Sequence, residues 1–155
     1  MLYLVYIMGR SVFIVNNQVT AIVTSSIIAF RELSRNQILI IYSRNLQFNF
    51  LKDYATIYHR SIKETLCLLE KYKEFDHLYT PWMFSLPNEI QKQYSLRYSY
   101  IEEGDLSYTS FEEYGYLPEF IKRIGLKTAS KRFFFKKGAQ SYFGITESVF
   151  PGKNK

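Results

Sequence analysis

The chain has a single cysteine, Cys67, so there is no partner for an intrachain disulfide and no thiolate cluster for structural zinc. No histidine or acid stands at a telling spacing from that thiol, which argues against a nucleophilic role. Cys67 falls instead in the stretch from Arg60 to Tyr72, where Ile62, Leu66, Leu69 and Tyr72 recur at helical spacing, and core packing in a reducing compartment is its expected place. A Walker phosphate loop, a dinucleotide glycine fingerprint, an internal repeat and a low-complexity segment are all missing. So is a convincing membrane segment. Met1 to Met8 is apolar but has no basic n-region and is broken by Gly9-Arg10, a poor match to a signal peptide. Ser11 to Phe30 carries no charge, yet Asn16, Asn17, Gln18, Thr20, Thr24, Ser25 and Ser26 lie within it. A bilayer penalises that polar load, so a strand, a polar turn and a buried helix explain the segment better.

What is present argues for a packed core. Of 155 residues, 47% are hydrophobic and 18% aromatic, enough apolar surface to drive collapse. The length suits one domain over residues 1–150, with 151–155 as a flexible tail. The net charge is +6. It is unevenly spread: Glu102, Glu103, Asp105, Glu112, Glu113 and Glu119 form an acidic stretch, and a basic one from Lys122 to Lys137 follows it. Such a basic face recruits anionic lipid headgroups, nucleic acid or an anionic glycan, although most charge runs are only solvated surface.

The periodicity predicts alternating strands and helices. Ser11 to Val15 reads as a buried strand, and Val19 to Leu33 as a helix with an apolar stripe of Val19, Ile22, Val23, Ile27, Phe30 and Leu33. Gln37 to Tyr42 is a continuous β-branched run of the kind buried on both faces. Strand, helix and strand in that order imply a right-handed βαβ unit. An irregular stretch through Phe48 and Tyr54 follows. Then come a helix from Arg60 to Lys73, a strand from His77 to Thr80, a helix starting near Ser85-Leu86-Pro87, and a strand ending at Glu102. Leu117 to Ile124 suggests a short helix, and Phe133 to Phe135 and Ser141 to Ile145 are β-prone. The fold class expected is α/β, an open parallel sheet flanked by helices. Asn16, Asn17, Ser43 and Glu102 should meet at its carboxyl edge, where loops line a crevice over a rigid sheet.

Two adjacent carboxylates, Glu102 and Glu103, end the last of these strands just before the turn at Gly104-Asp105. Tyr100-Ile101-Glu102-Glu103-Gly104, followed by Ser107-Tyr108, resembles the acidic-acidic-glycine motif of bacterial sialyltransferases, the lipooligosaccharide and capsule polysialyltransferase families. The segment from Ser11 through Val23 is similar to their opening strand and helix, and Lys73 to Thr80 to the strand before their motif. The resemblance implies a Rossmann-like acceptor-side domain, the N-terminal half of a GT-B enzyme. It also implies cytidine monophosphate-sialic acid as donor substrate, no other cofactor and no metal, and a glycan acceptor. Glu102 would act as general base and Glu103 would orient the loop, with Asn16, Asn17, Ser43 and Gly104 lining the substrate site. The expected location is cytoplasmic, with peripheral contact at an anionic inner membrane.

One departure bears on activity. Those enzymes carry a His-Pro motif in their second half, whereas here His59 precedes Arg60 and His77 precedes Leu78, both before the acidic motif. The donor-binding domain is therefore expected to be absent from this chain, leaving an apolar face that favours self-association or a missing partner domain. A non-catalytic glycan-binding or interaction module is the competing reading. Nucleic-acid binding through Lys122 to Lys137 with Phe133, Phe134 and Phe135 is the weaker third, since consecutive phenylalanines usually fill a core.

Overall fold

The computed structural model describes residues 9–43, 46–72, 74–83, 85–104 and 138–145. Within them, six strands form one parallel sheet. In chain order the elements are β1 (Arg10–Val15), α1 (Gln18–Phe30), β2 (Ile38–Tyr42), β3 (Ala55–Tyr58), α2 (Ile62–Leu69), β4 (Phe75–Thr80), α3 (Leu86–Tyr94), β5 (Arg97–Ile101) and β6 (Tyr142–Phe143). Short 3-10 turns at Arg35–Gln37 and Asn49–Leu51 flank β2.

The spatial strand order is β3-β2-β1-β4-β5-β6. Strand β1 lies centrally, with Ser11 opposite Ile38 on one side and His77 on the other. Both β1 and β2 run through the middle of the core, and every residue of β2 is buried. That explains why Ile38-Leu39-Ile40-Ile41 shows no polar alternation: a central parallel strand is covered on both faces. The chain winds outward from β1 to β3, returns to the centre at β4, and winds outward the other way. This is the doubly wound arrangement, with a reversal point between the carboxyl ends of β1 and β4.

Two apolar layers enclose the sheet. On one face Phe13, Val15, Ile40, Tyr79 and Ile101 pack against Ala21, Val23, Ile27 and Ile28 of α1. On the other, Val12, Ile14, Leu39, Ile41 and Leu78 pack against Leu69 of α2 and Leu86 and Ile90 of α3. Phe13 and Tyr79 stack at 4.4 Å, nearly parallel, across the β1–β4 junction. A fully buried aliphatic side chain of this kind stabilises the fold by roughly 1.5–3 kcal/mol.

Several details differ from the sequence reading. The stretch after Phe48 is not irregular throughout: Ala55–Tyr58 pairs with β2 as an edge strand. The helix expected from Arg60 to Lys73 is shorter, with Ser61 as its N-cap accepting from Glu64 N–H at 3.2 Å. Cys67 is exposed rather than packed in the core. It lies roughly 200° around the helix from Leu69, which together with Thr65 faces inward. In α1 the buried face includes Thr20 and Thr24, which leaves Ile22 at 41% and Phe30 at 80% exposure among the described residues. The β-prone stretch around Tyr142 does form a strand, parallel to β5. The expected helix at Leu117 to Ile124, the Phe133 to Phe135 run, the basic segment and the tail at 151–155 lie outside the described residues. Among the described residues no helix is long and apolar enough to cross a membrane.

Candidate functional site

The carboxyl edge of the sheet carries two clusters of polar side chains. The first joins the end of β1 to the end of β5. Asn17 caps α1: its Oδ1 accepts from Thr20 N–H at 2.9 Å, and Thr20 Oγ1 accepts from Asn17 N–H at 3.1 Å, a reciprocal capping box. Asn16 is buried, with its Oδ1 at 3.0 Å from the same hydroxyl. Asn17 then reaches across β4, and its Nδ2 donates to the Glu103 carbonyl at 2.8 Å. The helix cap and the acidic loop are thereby tied together.

Glu102 is nearly sealed, at 2% exposure. Its amide donates to the Phe143 carbonyl at 2.8 Å, and its Oε2 accepts from Ile145 N–H at 2.6 Å. That bond clamps the segment just after β6 onto the end of β5. Glu103 and Gly104 are half-buried. Gly104 has φ of 113°, a conformation that a side chain resists, so the loop turns sharply just after the acids.

Ser43 does not join that cluster. Its amide donates to the Val15 carbonyl at 3.0 Å, and its side chain borders a separate cavity of about 230 Å³ on the α2/α3 side of the edge. Residues following three different strands meet there: Ser43 after β2, His59 after β3, and Trp82 and Ser85 after β4, together with Ile14 of β1. This is the crevice at the winding reversal. His59 Nδ1 lies 2.8 Å from Thr65 Oγ1. Burial lowers the pKa of the imidazole, with Glu64 opposing, so the ring is neutral near pH 7. Ser85 holds φ of 56° and ψ of −125°, unfavourable for a residue with a Cβ, and its side chain makes no capping bond to α3.

His59, Trp82 and Ser85 were not among the residues that the sequence singled out for a site. Their signal was positional: each follows the end of a strand, but β3 must be recognised before His59 can be placed. A second concavity, of about 520 Å³, runs between α1 and β6 and is bordered by Ile22, Phe30, Phe143 and Ile145. No group of three or more potential metal-ligating His, Cys, Asp or Glu side chains occurs among the described residues.

No protein-family model, curated protein or solved structure matches this chain.

Proposed function

We propose that this chain is the acceptor-side half of a sialyltransferase-like glycosyltransferase of bacterial surface glycan synthesis, whose donor, cytidine monophosphate-sialic acid, is held by a second domain. The observation that carries the reading is the junction of Glu102-Glu103-Gly104 with the α1 N-terminus, made by the bond from Asn17 Nδ2 to the Glu103 carbonyl. It ties two acids to the ligand-binding edge of a doubly wound sheet. In the transfer, the acceptor hydroxyl oxygen bonds to the anomeric carbon of sialic acid. The bond from that carbon to phosphate breaks, its electron pair leaves with the nucleotide, and the hydroxyl proton passes to a carboxylate.

The family pattern gives the base role to Glu102, but burial favours the opposite division. Glu102 is closed off and its Oε2 is engaged by Ile145, whereas Glu103 is half-buried at the loop surface. We therefore assign proton acceptance to Glu103, and to Glu102 the positioning of the loop that carries it. With this reading goes a cytoplasmic location, with membrane contact through the basic segment from Lys122 to Lys137.

The test fuses the chain to a donor domain of the sialyltransferase type and follows transfer rate alongside donor affinity. Glu103→Gln should lower transfer about 10²- to 10⁴-fold while donor affinity holds. A selective loss in Glu102→Gln moves the base one residue back. The chain alone should give no saturable heat with cytidine monophosphate, and micromolar binding would overturn the half-enzyme reading. The engagement of Glu102 by Ile145 favours one alternative, a glycan-binding module without turnover; acceptor binding with no transfer by any fusion would decide for it.

A further inference from the structure

The cavity at the winding reversal has a chemistry of its own. Ser43, Ser85 and His59 border it, and Ser43 Oγ, Ser85 Oγ and His59 Nε2 have no hydrogen-bond partner among the described residues. Ile14, Leu86 and Pro87 supply an apolar wall, and Trp82, half-buried, supplies an aromatic one. None of these residues is a lysine, arginine or carboxylate, and His59 is held neutral by burial. Among the described residues of the lining, nothing offers a countercharge for a phosphate or a carboxylate. At about 230 Å³ the space lies below the roughly 300 Å³ at which pockets for drug-sized ligands begin, so it suits a single ring.

We propose that this cavity binds one uncharged pyranose ring of the acceptor glycan, with a ring face against Trp82 and hydroxyls bonded to Ser43, Ser85 and His59 Nε2. A sugar ring fits this lining because it presents C–H groups on its faces and hydroxyls around its rim, matching an aromatic plane bordered by neutral donors and acceptors. Thr65 fixes the other imidazole nitrogen of His59, so the ring presents Nε2 in a set orientation. The backbone strain at Ser85 accords with a residue held for a ligand rather than for the helix it precedes. The assignment rests on the glycan-acceptor reading but does not depend on catalysis.

Trp82 is the chain's one tryptophan, so its fluorescence reports on this cavity without interference. The experiment titrates the chain with lactose, galactose, N-acetylglucosamine and sodium phosphate, following Trp82 emission and saturation transfer from protein to sugar protons by NMR. At least one neutral sugar should saturate in both measurements, and phosphate in neither. Ser43→Ala and Ser85→Ala, which leave the core untouched, should each weaken that sugar by up to about tenfold, the equivalent of ~1.4 kcal/mol for one hydrogen bond. The proposal is overturned if no sugar gives saturation transfer or an emission change, if phosphate saturates in place of sugars, or if both serine variants bind like the parent. Transfer by the fusion with a silent cavity would sink this assignment alone. A sugar-responsive Trp82 with no transfer by any fusion would sink the enzymatic reading alone.

Discussion

Acidification should destabilise this fold through one side chain, His77. It sits on β4 facing α1, 5% exposed, with Nε2 at 2.9 Å from Ser99 Oγ and its ring 4.4 Å from that of Tyr79. Burial first, then the charges of Arg31 and Arg97, push its pKa from 6.5 down to about 4. The sign follows directly. Because the folded pKa is the lower, the unfolded chain takes up the proton first as pH falls. Stability is thus unaffected above about pH 6.5, declines between 6.5 and about 4, and levels off below. Over that window the loss amounts to about 3 kcal/mol, a large share of the 5–15 kcal/mol typical of a domain. The assay is urea unfolding at intervals from pH 7 to pH 4 for the parent and for His77→Gln, which keeps a hydrogen-bonding group toward Ser99 but does not titrate in this range. A constant offset between the two is immaterial. Asp76, whose pKa is raised mainly by burial, and His59 titrate in both proteins and cancel in the difference. The parent should lose about 3 kcal/mol more than the variant across the window. A difference curve that stays flat would refute the reasoning.

Two further predictions concern the edge loops. Asn17→Ala removes the α1 cap and the bond to the Glu103 carbonyl and should cost about 2–3 kcal/mol in urea unfolding, whereas Asn17→Asp, which can cap but cannot donate, should cost about 1. Equal losses in the two variants would mean that the tie to Glu103 contributes nothing. Ser85→Gly should raise the melting temperature, because relief of roughly 1–3 kcal/mol of backbone strain exceeds the roughly 0.5–1 kcal/mol of added chain entropy, and a lower melting temperature would contradict this.

The strands around the core were legible where apolar runs were long. Ser11 to Val15 and Gln37 to Tyr42 read as buried strands because both faces of a parallel sheet are covered, His77 to Thr80 read as a short strand, and all three lie in one parallel sheet. Strand β3 was missed because in Ala55-Thr56-Ile57-Tyr58 only Ile57 is buried, so an edge strand leaves little apolar trace. The inward face of α1 was misjudged because Thr20 and Thr24 occupy it, and a buried threonine looks polar in sequence. The acid pair could be placed at a strand end from local pattern alone. Its partners could not. That Ile145 engages Glu102 depends on where β6 docks, and that Ser43, His59 and Trp82 share a cavity depends on the strand order, which no short-range pattern encodes.

The central position of β1 has a consequence during synthesis. Strands β1, β2 and β3 can assemble as soon as they emerge from the ribosome, but the second flank of β1 stays bare until β4 has been made. At 5–20 residues per second, the interval between completing Tyr42 and completing Thr80 is roughly 2 to 8 s. Throughout it, the backbone of Val12-Phe13-Ile14 is an open, apolar template for another chain. The seam most prone to aggregation in the nascent protein is therefore the one that ends up deepest inside the finished sheet.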